Sequence, residues 1–116
     1  MARTLEKSSS KESLKQFEDL GLDQKALAAC LAVSPKTIER WRTGSVEPNE
    51  GGLRVLEKLE EIYRMAMRLF KREKCQAWFR TPNPTLGGAR PLDVLSRGDL
   101  DQVRNLLGML QWGIYS

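Results

Sequence analysis

Histidine is absent from this 116-residue chain, and cysteine occurs only at Cys30 and Cys75. Without histidine the commonest general acid–base is missing, and no serine or cysteine has a visible partner to activate it, so catalysis is not expected. A zinc site would have to complete two distant thiolates with carboxylates alone, against the ligand habits of closed zinc sites. Neither metal nor cofactor is therefore expected. Cys30 falls in an apolar helical pattern and reads as a small core residue, and in a reducing compartment both cysteines stay thiols. Long apolar runs are also lacking. No segment reads as a membrane span or a signal-peptide core, and the expected location is the cytoplasm. Charge of one sign is weak too: the formal net charge is +4, divided as +3 over residues 1–72 and +1 over residues 73–116. That bias is too mild to argue for nucleic acid without a motif.

What remains is the balance of a globular domain, with 41% hydrophobic and 29% charged residues. The length suits one domain, or two small helical subdomains sharing an interface. Residues 1–10 are polar and carry Ser8-Ser9-Ser10, the composition of a flexible N-terminus. Leu14 and Phe17 share a face of a first helix running from about Ser10 to Leu20, and Gly21 stops it. Asp23 caps a second helix, and Ser34 caps a third with Pro35 at its first position. Leu22 with Leu27, and Val33 with Ile38, supply a hydrophobic staple for each. A longer helix starts near Gly51 or Gly52 and continues to about Arg72. Its apolar residues Val55, Leu56, Leu59, Ile62, Tyr63, Ala66, Leu69 and Phe70 recur at helical spacing. At about 1.5 Å per residue it reaches roughly 30 Å, enough to connect two subdomains.

An apolar segment through Ala77, Trp78 and Phe79 follows, then a stretch from Thr81 to Pro91 that prolines and glycines keep from being helix. Apolar residues anchor both its ends. Gly98 and Asp99 announce a last helix, with Gln102 three residues after the cap and Leu100, Val103, Leu107 and Leu110 as its buried stripe. Gly113 ends it. The expected fold is all-α: a helix-turn-helix domain over residues 11–50, a connecting helix over 51–72 and a small helical domain over 73–116.

The span from Gln24-Lys25-Ala26-Leu27-Ala28 through Leu31-Ala32-Val33-Ser34-Pro35-Lys36-Thr37-Ile38-Glu39-Arg40-Trp41 resembles the phage-repressor type of helix-turn-helix. The resemblance implies that the second helix of the pair enters the DNA major groove. Ile38 and Trp41 would face the core and Lys36, Glu39, Arg40 and Thr43 would face outward, with Thr37 and Arg42 on the flanks. Lys36 or Arg40 can reach guanine acceptors, Glu39 can accept from a cytosine amine, and Thr37 can touch a thymine methyl. Gln24 and Lys25, at a positive helix end, are candidate phosphate contacts, with Arg42 and Ser45. Ala32 stands in the turn where that family often has glycine. The same helices also fit a structural or dimerising unit that does not bind DNA.

From Trp78 onward the chain carries Thr81-Pro82-Asn83, Leu86-Gly87-Gly88, Pro91-Leu92-Asp93-Val94-Leu95, Gly98, Val103, Leu107 and Trp112-Gly113-Ile114-Tyr115-Ser116. In this order they resemble the toxin-binding domain of the Xre/MbcA/ParS antitoxins, and a preceding helix-turn-helix matches that family's domain order. The resemblance implies a partner of the RES-domain type, a toxin that consumes NAD, with the antitoxin's C-terminus presented to the NAD site. Trp112, Ile114 and Tyr115 are large enough to anchor an interface, Gly113 lets the backbone turn, and the Ser116 carboxylate can meet groups that hold a phosphate. Arg90 differs from the small residue expected before Pro91 and is a further candidate contact. Trp78, Leu92, Val94, Leu95 and Leu107 read instead as core.

Two functions follow. One is an antitoxin that occludes its partner's cofactor site, regulates its own operator DNA, and forms a hetero-oligomer with the toxin, with a homodimer also open. The other is a phage-type transcriptional repressor whose C-terminal half only dimerises.

Overall fold

A computed structural model describes residues 7–113, with side chains from residue 12 onward. Seven α-helices and one 3-10 turn make up the described residues, and no strand occurs among them. Helix α1 spans Lys7–Leu20, so residues 7–10 belong to a helix that starts three residues before the expected point. Polar composition alone suggested fraying there; once Leu14, Phe17 and Leu20 are buried, the helix can extend backward through serines of ordinary helical propensity.

Helices α2 (Gln24–Leu31) and α3 (Pro35–Thr43) are joined by a short turn at the place expected for the helix-turn-helix. Both caps are made: the Ala26 N–H donates to Asp23 Oδ1 at 2.8 Å, and the Thr37 N–H donates to Ser34 Oγ at 3.2 Å. Leu22, Leu27 and Ile38 are buried, with Val33 packed against the same core. Ala32 takes the left-handed conformation at φ 58°, ψ 42°, and its N–H bonds back to the end of α2. The turn is therefore the one a glycine would make, held by a residue with a Cβ. That conformation costs an L-residue about 1–2 kcal/mol, while glycine adds only about 0.4–1 kcal/mol of unfolded-state entropy. Ala32→Gly, at an exposed position, should raise the melting temperature by about 2–5 °C in scanning calorimetry.

Helix α4 (Glu50–Leu69) begins on an Asn49 cap and buries Gly52, Leu56, Leu59, Ile62 and Ala66. Gly52 is where α4 meets the Trp41 ring: a Cβ there would lie 2.9 Å from Trp41 Cη2. The helix ends at Leu69, short of the expected Arg72, because Phe70 turns extended at φ −128°, ψ 149°. Its ring stacks on Trp78, with centroids 5.7 Å apart, and Trp78 meets Phe79 edge-on at 5.0 Å. The chain has to reverse between α4 and α5 (Arg72–Arg80) to make that stack.

Between α5 and α7 the loop is ordered by its own hydrogen bonds. Asn83 accepts from the Thr85 N–H and exchanges backbone bonds with Gly88 and Ala89, closing a 3-10 turn over Pro84–Leu86. The expectation that no helical turn forms here is corrected to that extent. A six-residue helix that sequence reading passed over, α6 (Pro91–Ser96), then buries Leu92, Val94 and Leu95. Helix α7 (Leu100–Gln111) starts on Asp99, which accepts from both the backbone and the side chain of Gln102. Its buried stripe is Leu100, Val103, Leu106 and Leu107, with Leu110 half-buried at the edge.

The connecting helix is a spine, not a tether. Helix α4 packs along α7 and also touches α1, α2 and α5, while α6 packs on α2, α5 and α7. One buried cluster runs from Leu14 to Leu107 through every α-helix. Asp19, near the end of α1, accepts on its backbone oxygen from Gln76 at 3.2 Å and Arg80 at 3.5 Å, tying α1 to α5. Ser13, itself buried, donates to Glu60 of α4 at 2.5 Å. No helix of the described residues is long and apolar enough to cross a membrane.

Both thiols are buried and free. Burial pushes the Cys30 thiol up from 9.0 to about 12 and raises that of Cys75. Since the folded pKa lies above the unfolded one, this contribution to stability is complete below about pH 9 and is lost as the pH rises toward 12. Native protein at pH 8 should react with neither equivalent of a disulfide-exchange reagent and should release two equivalents once unfolded in guanidinium.

Candidate functional site

The outer face of α3 is the first candidate surface. Ile38 and Trp41 point inward and are buried, which sets Lys36, Glu39 and Arg40 on the opposite, exposed face. No salt bridge or side-chain hydrogen bond engages these three among the described residues. Lys25 is exposed and Gln24 half-buried at the N-terminus of α2. The side chains of these five residues make no hydrogen bond or ion pair among the described residues.

Three other candidates for the same surface are engaged elsewhere. Arg42 turns back to α1 and pairs with the Glu18 carboxylate. Its Nε is buried with no partner among the described residues, so part of the guanidinium is taken up by the α1–α3 contact. Thr37 shares a hydrogen bond with Ser34 at 3.0 Å in the cap. Ser45 closes the end of α3, bonding Thr43 Oγ1 at 2.8 Å and donating to the Arg40 carbonyl at 3.4 Å. The sequence could not show the Arg42 pairing, since Glu18 lies 24 residues earlier and meets it only through helix packing.

The second candidate surface is the C-terminal region. Arg90 caps α6 by donating to both carboxylate oxygens of Asp93, Nε at 2.9 Å and Nη2 at 2.8 Å. The Arg90 backbone N–H also reaches Asp93 Oδ2 at 3.4 Å. The hydrogen-bonded guanidinium holds the Asp93 carboxyl below the usual carboxylate range. A partner approaching Arg90 thus meets a charge already neutralised in place, which weakens its candidacy as an independent contact. Trp112 caps the end of α7 and is 83% exposed. Gly113 follows in the left-handed conformation at φ 73°. Ile114, Tyr115 and Ser116 lie outside the described residues.

Beside Trp112 the surface holds a feature that sequence reading missed. An open groove of about 410 Å³ runs between α4 and α7, lined by Met65, Arg104, Asn105, Gly108, Met109 and Trp112. Arg104 is occupied at its rim by Glu61, with Nε to Oε1 at 3.2 Å and Nη2 to Oε2 at 3.2 Å. Gly108, a glycine inside a helix, was the available signal. No group of three or more His, Cys, Asp or Glu side chains among the described residues is placed to hold a metal.

Comparison with known proteins bears on both surfaces. Residues 65–113 match the family described as the antitoxin Xre/MbcA/ParS C-terminal toxin-binding domain. The chain is 30% identical over 103 residues to the "Probable mycobacterial cidal antitoxin Rv3188" of Mycobacterium tuberculosis, covering 89% of this chain and 85% of the relative. It is 24% identical over 99 residues to the mycobacterial cidal antitoxin MbcA of Mycobacterium bovis, covering 85% and 88%. A chain in the crystal structure of the M. tuberculosis MbcT-MbcA toxin-antitoxin complex has the same fold, with TM-score 0.66 at 22% identity over 91% of this chain and 96% of that one. Both relatives carry the name of antitoxins.

Proposed function

Since the chain belongs to the Xre/MbcA/ParS antitoxin family, we propose that it neutralises a RES-type, NAD-consuming toxin by lodging residues 112–116 in the toxin's NAD cleft. It does so without chemistry of its own, as steric occlusion in the cytoplasm, within a hetero-oligomer. The observation that carries this reading is Trp112. A side chain of that size left 83% exposed at the end of the last helix, inside the stretch matched to a toxin-binding domain, is an anchor awaiting a partner. Gly113 takes the left-handed conformation, which cannot continue the α7 helix. The exposed and unengaged Lys36, Glu39 and Arg40 on α3 support a second role, regulation of the protein's own operator, with Lys25 and Gln24 at the backbone.

The test is co-expression with a RES-type toxin, sought first in the adjoining reading frames, followed by co-purification and an NAD-consumption assay. A stable complex in which NAD consumption is suppressed is the expected result. Failure of the two proteins to associate overturns the proposal, as does NAD turnover by the antitoxin alone.

A further inference from the structure

Gly108 has no structural reason to be glycine. It lies in the last turn of α7 with helical backbone, where glycine is still a poorer helix former than alanine. Nothing crowds it: an added Cβ would meet only Met65 Cε, at an ordinary 3.9 Å. What the missing side chain does leave open is the floor of the groove between α4 and α7. We infer that this groove seats one bulky apolar side chain of the toxin, separate from the C-terminal segment that enters the cofactor cleft.

The inference rests on the antitoxin reading above. Every groove residue, from Met65 to Trp112, falls within the stretch matched to the toxin-binding domain, so the groove is continuous with that interface. Its chemistry selects the occupant. Two methionines form pliable walls that fit an irregular apolar group. Arg104 is already satisfied by Glu61 and calls for no acid on the partner. Asn105 has no partner among the described residues, so its amide offers a donor and an acceptor to the backbone around an inserted side chain. Trp112 stands at the groove's edge, where this seat adjoins the terminal segment. The groove adds affinity to that of the terminal segment, and the terminal segment alone supplies the inhibition.

Leucine at position 108 fills the floor and removes the glycine penalty, so Gly108→Leu should fold at least as stably as wild type. With catalytically inactivated toxin as the probe in titration calorimetry, it should bind tenfold or more weakly. Asn105→Trp, at an exposed rim position, blocks the groove without touching the core and should give the same loss. A chain lacking residues 113–116 should still bind but no longer inhibit. Wild-type affinity in both groove variants overturns the inference and leaves the antitoxin reading standing. If wild type fails to bind the toxin, that reading falls instead. Sedimentation of the free protein covers the remaining occupant: a wild-type dimer made monomeric by Gly108→Leu would assign the groove to a second copy of this chain and overturn the toxin seat.

Discussion

A chain ending at Trp112 should lose at least 100-fold in its power to suppress NAD consumption while melting within about 1 °C of wild type. The stability half follows from where the core ends. The last residues of the buried cluster are Leu106 and Leu107, with Leu110 half-buried at its edge and Trp112 and Gly113 exposed. The inhibition half follows from what is removed. Ile114 and Tyr115 are the bulky groups that would fill a narrow cleft, and central anchors of that kind contribute about 2 kcal/mol or more each when they are lost from an interface. A factor of 100 corresponds to about 2.7 kcal/mol, below the sum of two such anchors. The measurement is inhibition of the purified toxin at a series of antitoxin concentrations. If the chain were a repressor whose C-terminal half only dimerises, truncation would change neither toxin activity nor DNA affinity.

The second large effect belongs to α3. Replacing Lys36 and Arg40 together by alanine should weaken binding to the DNA upstream of the protein's own reading frame by about 100-fold or more at fixed salt. Each good base contact is worth about 1–3 kcal/mol. Lys25→Ala, at a candidate phosphate contact, should instead flatten the salt dependence by about one unit of slope. Arg42→Ala is the informative companion. Its guanidinium is pinned to Glu18 and partly buried, so its loss should lower the melting temperature by several degrees and leave the affinity of the folded protein near wild type. Unchanged DNA binding by the Lys36, Arg40 variant would make the helix-turn-helix a structural unit only.

Local chemistry accounts for what could be read from the sequence. Asp23, Ser34 and Asp99 each make the cap that their position before an apolar run predicts, and Ile38 and Trp41 are buried because residues three apart share a helix face. Where the reading went astray, distant residues decided. Helix α4 stops at Leu69 because Phe70 finds Trp78, eight residues on across a chain reversal. Helix α5 starts on Lys71, which supplies no side-chain cap and hence no signal. On the candidate surfaces the three exposed α3 residues were legible from periodicity. Arg42 was not, since periodicity sets it on a flank and only the packing of α1 supplies Glu18. The groove beside Trp112 joins two helices some forty residues apart in sequence, and only its glycine left a trace.

The continuous core gives the protein the property of a set square. Lys36 and Arg40 stand on one arm, Trp112 on the other, and no loose joint of the described fold lies between them, because α4 belongs to both arms and Gln76 and Arg80 brace the corner against Asp19. A toxin held at one arm would take up a fixed attitude to any DNA held at the other. Neighbouring complexes along an operator would then be spaced by the shape of this chain, and a transplanted half would carry away neither the angle nor a core of its own.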